Sequence, residues 1–378
     1  MRIAVNTRLL LRDKLDGIGY FAYETLKRIT KAHPEHQFIF VFDRRPSPEF
    51  LFSGNITPAI AQPQARHPLL WYLFFEWGVP SVLKDQKADF FLSPDGWLSL
   101  RTSVPSLPVI HDLNWEHYPR FTPWQVRQYY RYYFQRFARK AVRIATVSEF
   151  TRGDISSRYG IGEDQIDVVY NGAGETCKPL KLDEIVAVRK QYSSGAPYFL
   201  FVGTIHPRKN LKNLLLAFDE FRLKTGSNVK LVVAGSKKWW TSELETIYSN
   251  LQYRSEVVFV GRVTSEDLGR LVGACLALAY VSFFEGFGIP ILEGMNCDVP
   301  VIAGNASSMP EVGADAALYV DPASVESITG ALVSLSRDEQ LRQTLITNGR
   351  RRRNDFSWDR TAGLLWESME RAMRGTTR

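Results

Sequence analysis

Short apolar runs rich in β-branched and aromatic residues alternate along this chain with stretches of helical spacing, and the alternation occurs in two successive blocks. In the first block Arg2–Asn6, Phe38–Phe42, Phe90–Ser93, Val109–His111, Arg143–Val147 and Ile166–Val169 read as strands, with helices over Gly19–Lys31 and Pro123–Lys140. In the second block the strands are Tyr198–Val202, Lys230–Ala234, Val257–Val260, Leu276–Tyr280, Val299–Ala303 and Ala317–Val320. Helices over Leu211–Thr225, Thr241–Leu251, Ser265–Gly273, Pro290–Asn296, Pro310–Val312 and Val325–Arg353 lie between or after them. Strands connected through helices pair in parallel and are covered on both faces, so each block predicts an α/β layer fold of Rossmann type. A chain of 378 residues is also too long for one ordinary core. The reading is therefore two such domains, 1–175 and 195–355, and a C-terminal helix over 356–373 packing back on the first. After Asn171-Gly172 come the polar, turn-rich GAGETCKPLKLDE, then a polar helix and SSGAP at 193–197, and this stretch is the linker candidate. Folds of this kind bind ligands at the C-terminal ends of their strands, which predicts a cleft with the two domains facing across it.

Composition narrows the function. Hydrophobic residues make up 45% and charged residues 23%, a globular balance, and the net charge of +7 is modest for this length. Cys177, Cys275 and Cys297 are odd in number, far apart and without a CxxC pair, which argues against a disulfide scaffold or a zinc knuckle and for a reducing, cytoplasmic setting. The N-terminus begins like a buried strand, with no leader-like apolar stretch. The most apolar run, LLWYLFFEWGV at 69–79, is eleven residues long and contains Glu76, against about 20 residues needed to span a bilayer.

Several segments carry chemistry. Gly17-Ile-Gly19 precedes a helical run but is separated from Asn6 by ten residues, too far for a dinucleotide fingerprint, though its N–H groups can still meet an anion. No GxxxxGK[ST], no Asp-x-Asp and no metal-spaced His and carboxylate cluster occurs, so phosphate chemistry here falls to Lys, Arg and helix N-termini, and no metal is expected. Arg208-Lys209-Asn210 stands after a strand and before a helix, where cations are locally unfavourable until an anion arrives. Downstream, Glu285-Gly286-Phe287-Gly288-Ile289-Pro290 leads into a short helix carrying Glu293, so that both carboxylates can face one cleft.

With those segments in order, the chain resembles the retaining, metal-independent nucleotide-sugar transferases of glycosyltransferase family 4, which have the GT-B fold. The family's E-x7-E pair matches Glu285 and Glu293 in FFEGFGIPILEGM, its PRKN-type loop matches Pro207–Asn210, and its SxxPEVxGDAA-type segment matches Ser307–Ala317 with Ala314 where glycine is common. In the first domain the glycine loop matches Gly17-Ile-Gly19 and the HD segment matches His111-Asp112; ATVSEF and VVYNG also fit. One departure is Thr204 after Gly203, where many members carry arginine; Arg208 would take over that cation's role. The resemblance implies a donor site of Gly17, Gly19, Arg208, Lys209, Gly286, Phe287, Gly288, Ile289 and Glu293. In it Lys209 and Arg208 hold the diphosphate and Glu293 accepts from the ribose. It also implies that His111, Lys209 and Glu285 are the catalytic residues, His111 at the sugar and Glu285 orienting sugar hydroxyls. Front-side attack with the donor phosphate as base is the mechanism implied.

The stretch from Arg120 to Arg143 holds seven cations and no acid, equal to the excess of the whole chain. Val126, Tyr130, Tyr133, Phe137 and Ala141 share one helical face and should meet the sheet, leaving Arg136, Lys140 and Arg143 for an anionic membrane surface or a polyprenyl-diphosphate-linked acceptor. No nucleic-acid reading module accompanies them, so nucleic acid is not an expected partner. The preferred expectation is a mannosyltransferase using GDP-mannose in O-antigen, lipopolysaccharide or exopolysaccharide assembly, cytoplasmic or peripheral at the inner membrane face, without cofactor. A UDP-sugar glucosyltransferase or sucrose synthase-like enzyme, and a non-catalytic basic binding protein with a GT-B shell, are the alternatives.

Overall fold

The computed structural model describes residues 1–12, 15 and 17–375. The chain divides into two compact units, one built from Met1–Asn171 with the C-terminal helix from Ser357, the other from Gly172–Phe356.

The first unit holds seven strands, β1 (Arg2–Asn6), β2 (Gln37–Phe42), β3 (Ile56–Ile60), β4 (Phe90–Ser93), β5 (Ser106–Ile110), β6 (Ile144–Thr146) and β7 (Ile166–Val168). They pair in parallel in the order β3-β2-β1-β4-β5-β6-β7, with Ile3 set between Phe38 and Phe90. Chain order reverses between β1 and β4, the switch point at which such sheets open toward ligands. β4 and β5 are buried along their whole length, which is why they appear in the sequence as unbroken apolar runs rather than alternating ones. β3 is different: ITPAI carries Pro58, lies half exposed at the sheet edge and has none of the expected strand pattern. An edge is the one place in a sheet where proline's missing donor is tolerated.

The helix Trp124–Lys140 buries Phe134, Phe137 and Ala138 against the core. The expected face meets the core: Phe137 is fully buried, Tyr130, Tyr133 and Ala141 pack partly buried against the same cluster, and Phe134 and Ala138 widen the contact, while Val126 is partly covered. The run 69–79 folds as part of consecutive helical turns, Pro68–Leu73, Phe74–Gly78 and Val79–Asp85, with Phe74, Phe75 and Glu76 buried. Glu76 accepts from the Leu100 amide at 2.9 Å. Among the described residues no helix is long and apolar enough to cross a membrane.

The second unit holds β8 (Tyr198–Val202), β9 (Lys230–Ala234), β10 (Val257–Gly261), β11 (Ala277–Tyr280), β12 (Val301–Gly304) and β13 (Ala317–Val320), all parallel in the order β10-β9-β8-β11-β12-β13. Its switch point lies between β8 and β11. The helix Leu182–Ser193, from the stretch read as linker, belongs to this unit. The helix expected over Val325–Arg353 is two, Val325–Arg337 and Glu339–Arg352, because Asp338 adopts an extended backbone and its carboxylate accepts from the Leu341 amide at 2.8 Å, capping the second. Gly235 lets the chain turn after β9: a Cβ there would stand 1.9 Å from the Gly203 carbonyl oxygen. The three cysteines are free and buried.

Candidate active site

The loops that follow β8 and β11, on either side of the second unit's switch point, bring the charged motif residues together. After β8, His206 caps a single turn, Pro207–Lys209, its Nδ1 accepting from the Arg208 amide at 3.2 Å. Asn210 closes the turn with a left-handed backbone, φ 61°, a conformation asparagine tolerates better than most residues. Its side-chain amide donates to the carbonyls of Val281 at 2.9 Å and Pro322 at 2.6 Å. The cation loop is thereby tied to the chain leaving β11 and β13, and the Phe283 amide adds a bond to the Arg208 carbonyl at 2.9 Å.

Two cations converge on one carboxylate. Arg208 Nη1 meets Glu285 Oε2 at 2.6 Å and also donates to the Phe284 carbonyl, and Lys209 Nζ meets Glu285 Oε1 at 2.8 Å. Lys209 Nζ donates to the Tyr280 hydroxyl at 2.9 Å and lies over that ring, 4.9 Å from its centre. The Glu285 side chain is only 7% exposed. Burial disfavours its charge, but Arg208 and Lys209 outweigh that and hold its carboxyl at about 2. The same burial, with the Glu285 charge beside it, pushes the Tyr280 hydroxyl far above its ordinary range, so it stays a neutral donor and acceptor. Two cations sharing one carboxylate leave an excess of positive charge, which is what a diphosphate requires.

The backbone around Glu285 is fixed from behind. Its amide donates to Ser307 Oγ at 2.9 Å, and Ser308 Oγ donates to the carbonyls of Glu285 and Phe287 at 2.9 and 2.8 Å. Gly286 and Phe287 are buried, Phe287 edge-on to Phe356. Gly288 has φ +111°, strained for any side chain, and a Cβ there would press on Ile291 at 3.1 Å. Ile289 then opens the helix Ile289–Asn296, with Pro290 in its first turn. Glu293 lies on that helix in dense surroundings while keeping a partly open edge. Its burial raises its carboxyl to about 7, only partly countered by Lys209.

The remaining predicted residues lie in the first unit. Gly17 and Gly19 are within the first turn of the helix Gly17–Ala32, Gly17 exposed with open space where a Cβ would point, and Gly19 buried. His111 follows β5; its Nε2 donates to the Pro94 carbonyl at 2.8 Å and its ring stands edge-on to Phe21 of the same helix. Asp112 accepts from the Asn114 amide at 3.0 Å, a turn-forming role. Of the cation stretch, Arg136 is exposed and stacked on Tyr132, and Lys140 is partly covered. Arg143 is differently employed from the surface role expected of it. It makes a two-point ion pair with Asp167 and donates to the Asp164 carbonyl at 2.7 Å.

Sequence reasoning passed over Tyr280, and it placed Asn210, Ser307 and Ser308 inside the matched segments Pro207–Asn210 and Ser307–Ala317 without giving them a role. Tyr280 ends a strand at the switch point, which was the available signal; the serines act through backbone bonds that no spacing reveals.

Residues 187–352 match the family described as Glycosyl transferases group 1, and residues 15–173 match Glycosyltransferase Family 4. The O-antigen chain mannosyltransferase B of Escherichia coli is 30% identical over 279 residues, covering 74% of this chain and 73% of that protein. The O-antigen chain mannosyltransferase RfbU of Salmonella typhimurium is 25% identical over 287 residues, 75% of each. Among solved structures, the sucrose-phosphate synthase of Thermosynechococcus elongatus superposes with a TM-score of 0.79 at 17% identity, covering 99% of this chain and all (100%) of that one. Anabaena HepE in complex with UDP and glucose gives 0.75 at 18% identity, covering 98% and 99%.

Proposed function

This chain belongs to the group 1 glycosyltransferases of glycosyltransferase family 4, a nucleotide-sugar-dependent enzyme with two Rossmann-like domains acting on a glycan or lipid acceptor, and from that footing we propose that it is a retaining mannosyltransferase using GDP-mannose. Its acceptor, in this reading, is a glycan or polyprenyl-diphosphate-linked glycan of surface-polysaccharide assembly, met in the cytoplasm or at the inner membrane face. The mannosyl assignment is supported by relatives named as O-antigen mannosyltransferases.

The observation that carries the donor reading is the convergence of Arg208 and Lys209 on Glu285. An incoming diphosphate competes with that carboxylate for the two cations. As the bond from sugar to phosphate breaks, charge grows on the leaving oxygens, and preplaced cations stabilise it without reorganisation. Removing one such group typically costs about 2.7–4 kcal/mol of transition-state stabilisation. Glu285, displaced from full pairing, is then placed to accept from hydroxyls of the transferred sugar. Because the diphosphate position already holds two cations, donor binding in this reading needs no divalent metal.

Calorimetric titration with GDP, UDP, ADP and dTDP, with and without EDTA, tests both claims, followed by transfer of labelled mannose from GDP-mannose to lipid-linked acceptor. GDP is expected to bind most tightly and to keep its affinity in EDTA. Preference for UDP overturns the donor assignment, and a loss of more than about tenfold in EDTA, restored by magnesium or manganese, overturns metal independence.

A further inference from the structure

A second concentration of cations stands in the first unit, at the C-terminal ends of β1 and β2. There a half-open cavity of about 380 Å³ is lined by Arg8, Arg12, Arg44 and Arg45, with Asp43 the one carboxylate among the described residues of its walls. That volume falls within the roughly 300–1,000 Å³ of small-molecule sites. The position is also the expected one, since open parallel sheets bind ligands beyond the carboxyl ends of their strands, beside the switch point between β1 and β4.

The cavity is built rather than incidental. Arg8 is 10% exposed and fixed from behind: its Nε meets Asp95 Oδ2 at 2.6 Å, and its guanidinium lies over the rings of Phe75 and Trp97 at 5.3 and 5.0 Å. Asp95 is itself held by Asn6 Nδ2 at 2.7 Å and Ser93 Oγ at 3.0 Å. Across the cavity, Arg44 is oriented by Asp43, its Nε and Nη2 meeting the two carboxylate oxygens at 2.7 and 2.8 Å, a pairing in which Nη1 takes no part. Arg45 is exposed and makes no ion pair with a described residue. Pro46 and Pro48 stiffen the wall that follows, so little conformational freedom is lost when a ligand orders it. Arg8 is paired with Asp95, Arg44 with Asp43 and Arg12 more loosely with Glu49 at 3.8 Å, so Arg45 and the unused guanidinium edges, on a preset frame, supply the fork geometry that phosphoryl oxygens match.

We propose that this arginine pocket binds a phosphoryl group of the acceptor substrate. The inference rests on the glycosyltransferase reading for there being an acceptor, and it narrows that acceptor to a phosphorylated one. The donor diphosphate has its own cations in the other unit, so the chain carries two diphosphate-binding positions of separate composition. A lipid-linked diphosphate and a soluble sugar phosphate share the chemistry.

Inorganic pyrophosphate serves as the probe, titrated by calorimetry into the wild-type chain, the Arg12→Gln/Arg45→Gln variant and Lys209→Ala. Both arginines of the double variant are exposed, so its thermal unfolding should match wild type. Two binding events are expected in the wild type. One should weaken about tenfold or more in the double arginine variant, as expected for lost charge-assisted hydrogen bonds, and the other in Lys209→Ala. GDP affinity should stay within about twofold in the arginine variant. If pyrophosphate binds that variant as it binds wild type, the pocket proposal is overturned. If the arginine variant loses one event but Lys209→Ala loses none, the pocket stands and the donor-site reading fails. Farnesyl diphosphate and mannose 1-phosphate then compete separately against pyrophosphate at the arginine site. Preferential displacement by the first assigns a lipid-linked acceptor and by the second a soluble one; displacement by neither overturns an acceptor role.

Discussion

At the scale of single residues, the two glutamates of the donor segment have been driven apart by their surroundings. Glu285 is paired with two cations and held at about 2, while Glu293, with Lys209 only as a more distant influence, is raised by burial to about 7. Opposite shifts on neighbouring carboxylates of one loop and helix mark different tasks. Glu293 binds its proton more tightly folded than unfolded, so its contribution to stability is complete below 4.5 and is lost as pH rises through about 7. If the ionised carboxylate accepts from ribose hydroxyls, nucleotide affinity should instead rise across that interval. Glu293→Gln should therefore flatten both pH profiles and weaken nucleotide binding by about tenfold at high pH. Glu285→Gln removes a competitor for Arg208 and Lys209, so it should leave nucleotide affinity equal or tighter while turnover falls about tenfold or more. Calorimetry and steady-state kinetics on both variants across pH check this, and a Glu285→Gln enzyme that keeps its turnover refutes the assigned role. Sequence spacing alone could place these carboxylates near one another. It could not show that Glu285 is neutralised in place, because that depends on Asn210 anchoring the cation loop to Val281 and Pro322.

At the scale of elements, most strands were legible because buried parallel strands are unbroken apolar runs, and Arg2–Asn6, Phe90–Ser93, Tyr198–Val202 and Lys230–Ala234 have the expected bounds. The exceptions have physical causes. β3 is an edge strand with a proline, and the long helix after β13 breaks where an aspartate side chain caps in place of the backbone. The helix Trp124–Lys140 and the Arg143 that follows it illustrate a subtler limit: the composition announced a basic amphipathic element, but the use of several of the cations was decided by residues outside the helix. Arg131 pairs with Glu116 at 3.3 Å, Arg127 donates to the Pro119 carbonyl, and Arg143 is committed to Asp167. Asp167 also accepts from Ser368 Oγ at 2.6 Å and pairs with Arg371 at 3.3 Å, so this one carboxylate fastens β7 to the C-terminal helix Trp358–Arg374. Burial opposes its charge, but Arg143, Ser368 and Arg371 prevail and hold the carboxyl below its ordinary 3.8. The stability it supplies is present above 3.8 and is lost as pH falls below that value. Arg143→Gln should cost about 2–3 kcal/mol near neutrality, with the cost shrinking under strongly acid conditions. Denaturant unfolding at several pH values, with hydrogen exchange on the C-terminal helix, measures it, and an unchanged midpoint at neutral pH contradicts the fastening role.

At the scale of the whole molecule, charge is distributed by task. The donor cations are set in the second unit, whereas the arginine cavity and the exposed cations of the helix Trp124–Lys140 belong to the first. Of the three cations first expected on the surface of that helix region, Arg136 and Lys140 keep solvent access and Arg143 is consumed by Asp167. Arg139, also exposed, extends the group in its place. Each cation near an anionic membrane surface contributes about 1 kcal/mol, and the attraction fades beyond roughly 10 Å at 0.1 M salt. A membrane role for this helix therefore predicts a graded, salt-sensitive effect that accumulates over Arg136, Arg139 and Lys140. Replacing the three by glutamine removes the charge while keeping polar side chains and leaves Arg143 with Asp167, so the fold is not at issue. Flotation with liposomes containing anionic lipid should drop markedly, most of all at low salt. Transfer to a lipid-linked acceptor should drop with it, while transfer to a soluble acceptor and nucleotide affinity stay within about twofold of wild type, as expected if the two groups of cations act independently. Unchanged flotation would reduce the helix to a solvated face whose arginine stems cover apolar surface, and acceptor capture would then fall to the arginine cavity alone. A fall in nucleotide affinity would instead mean that the two groups of cations are energetically coupled, against the division of labour argued from their separate units.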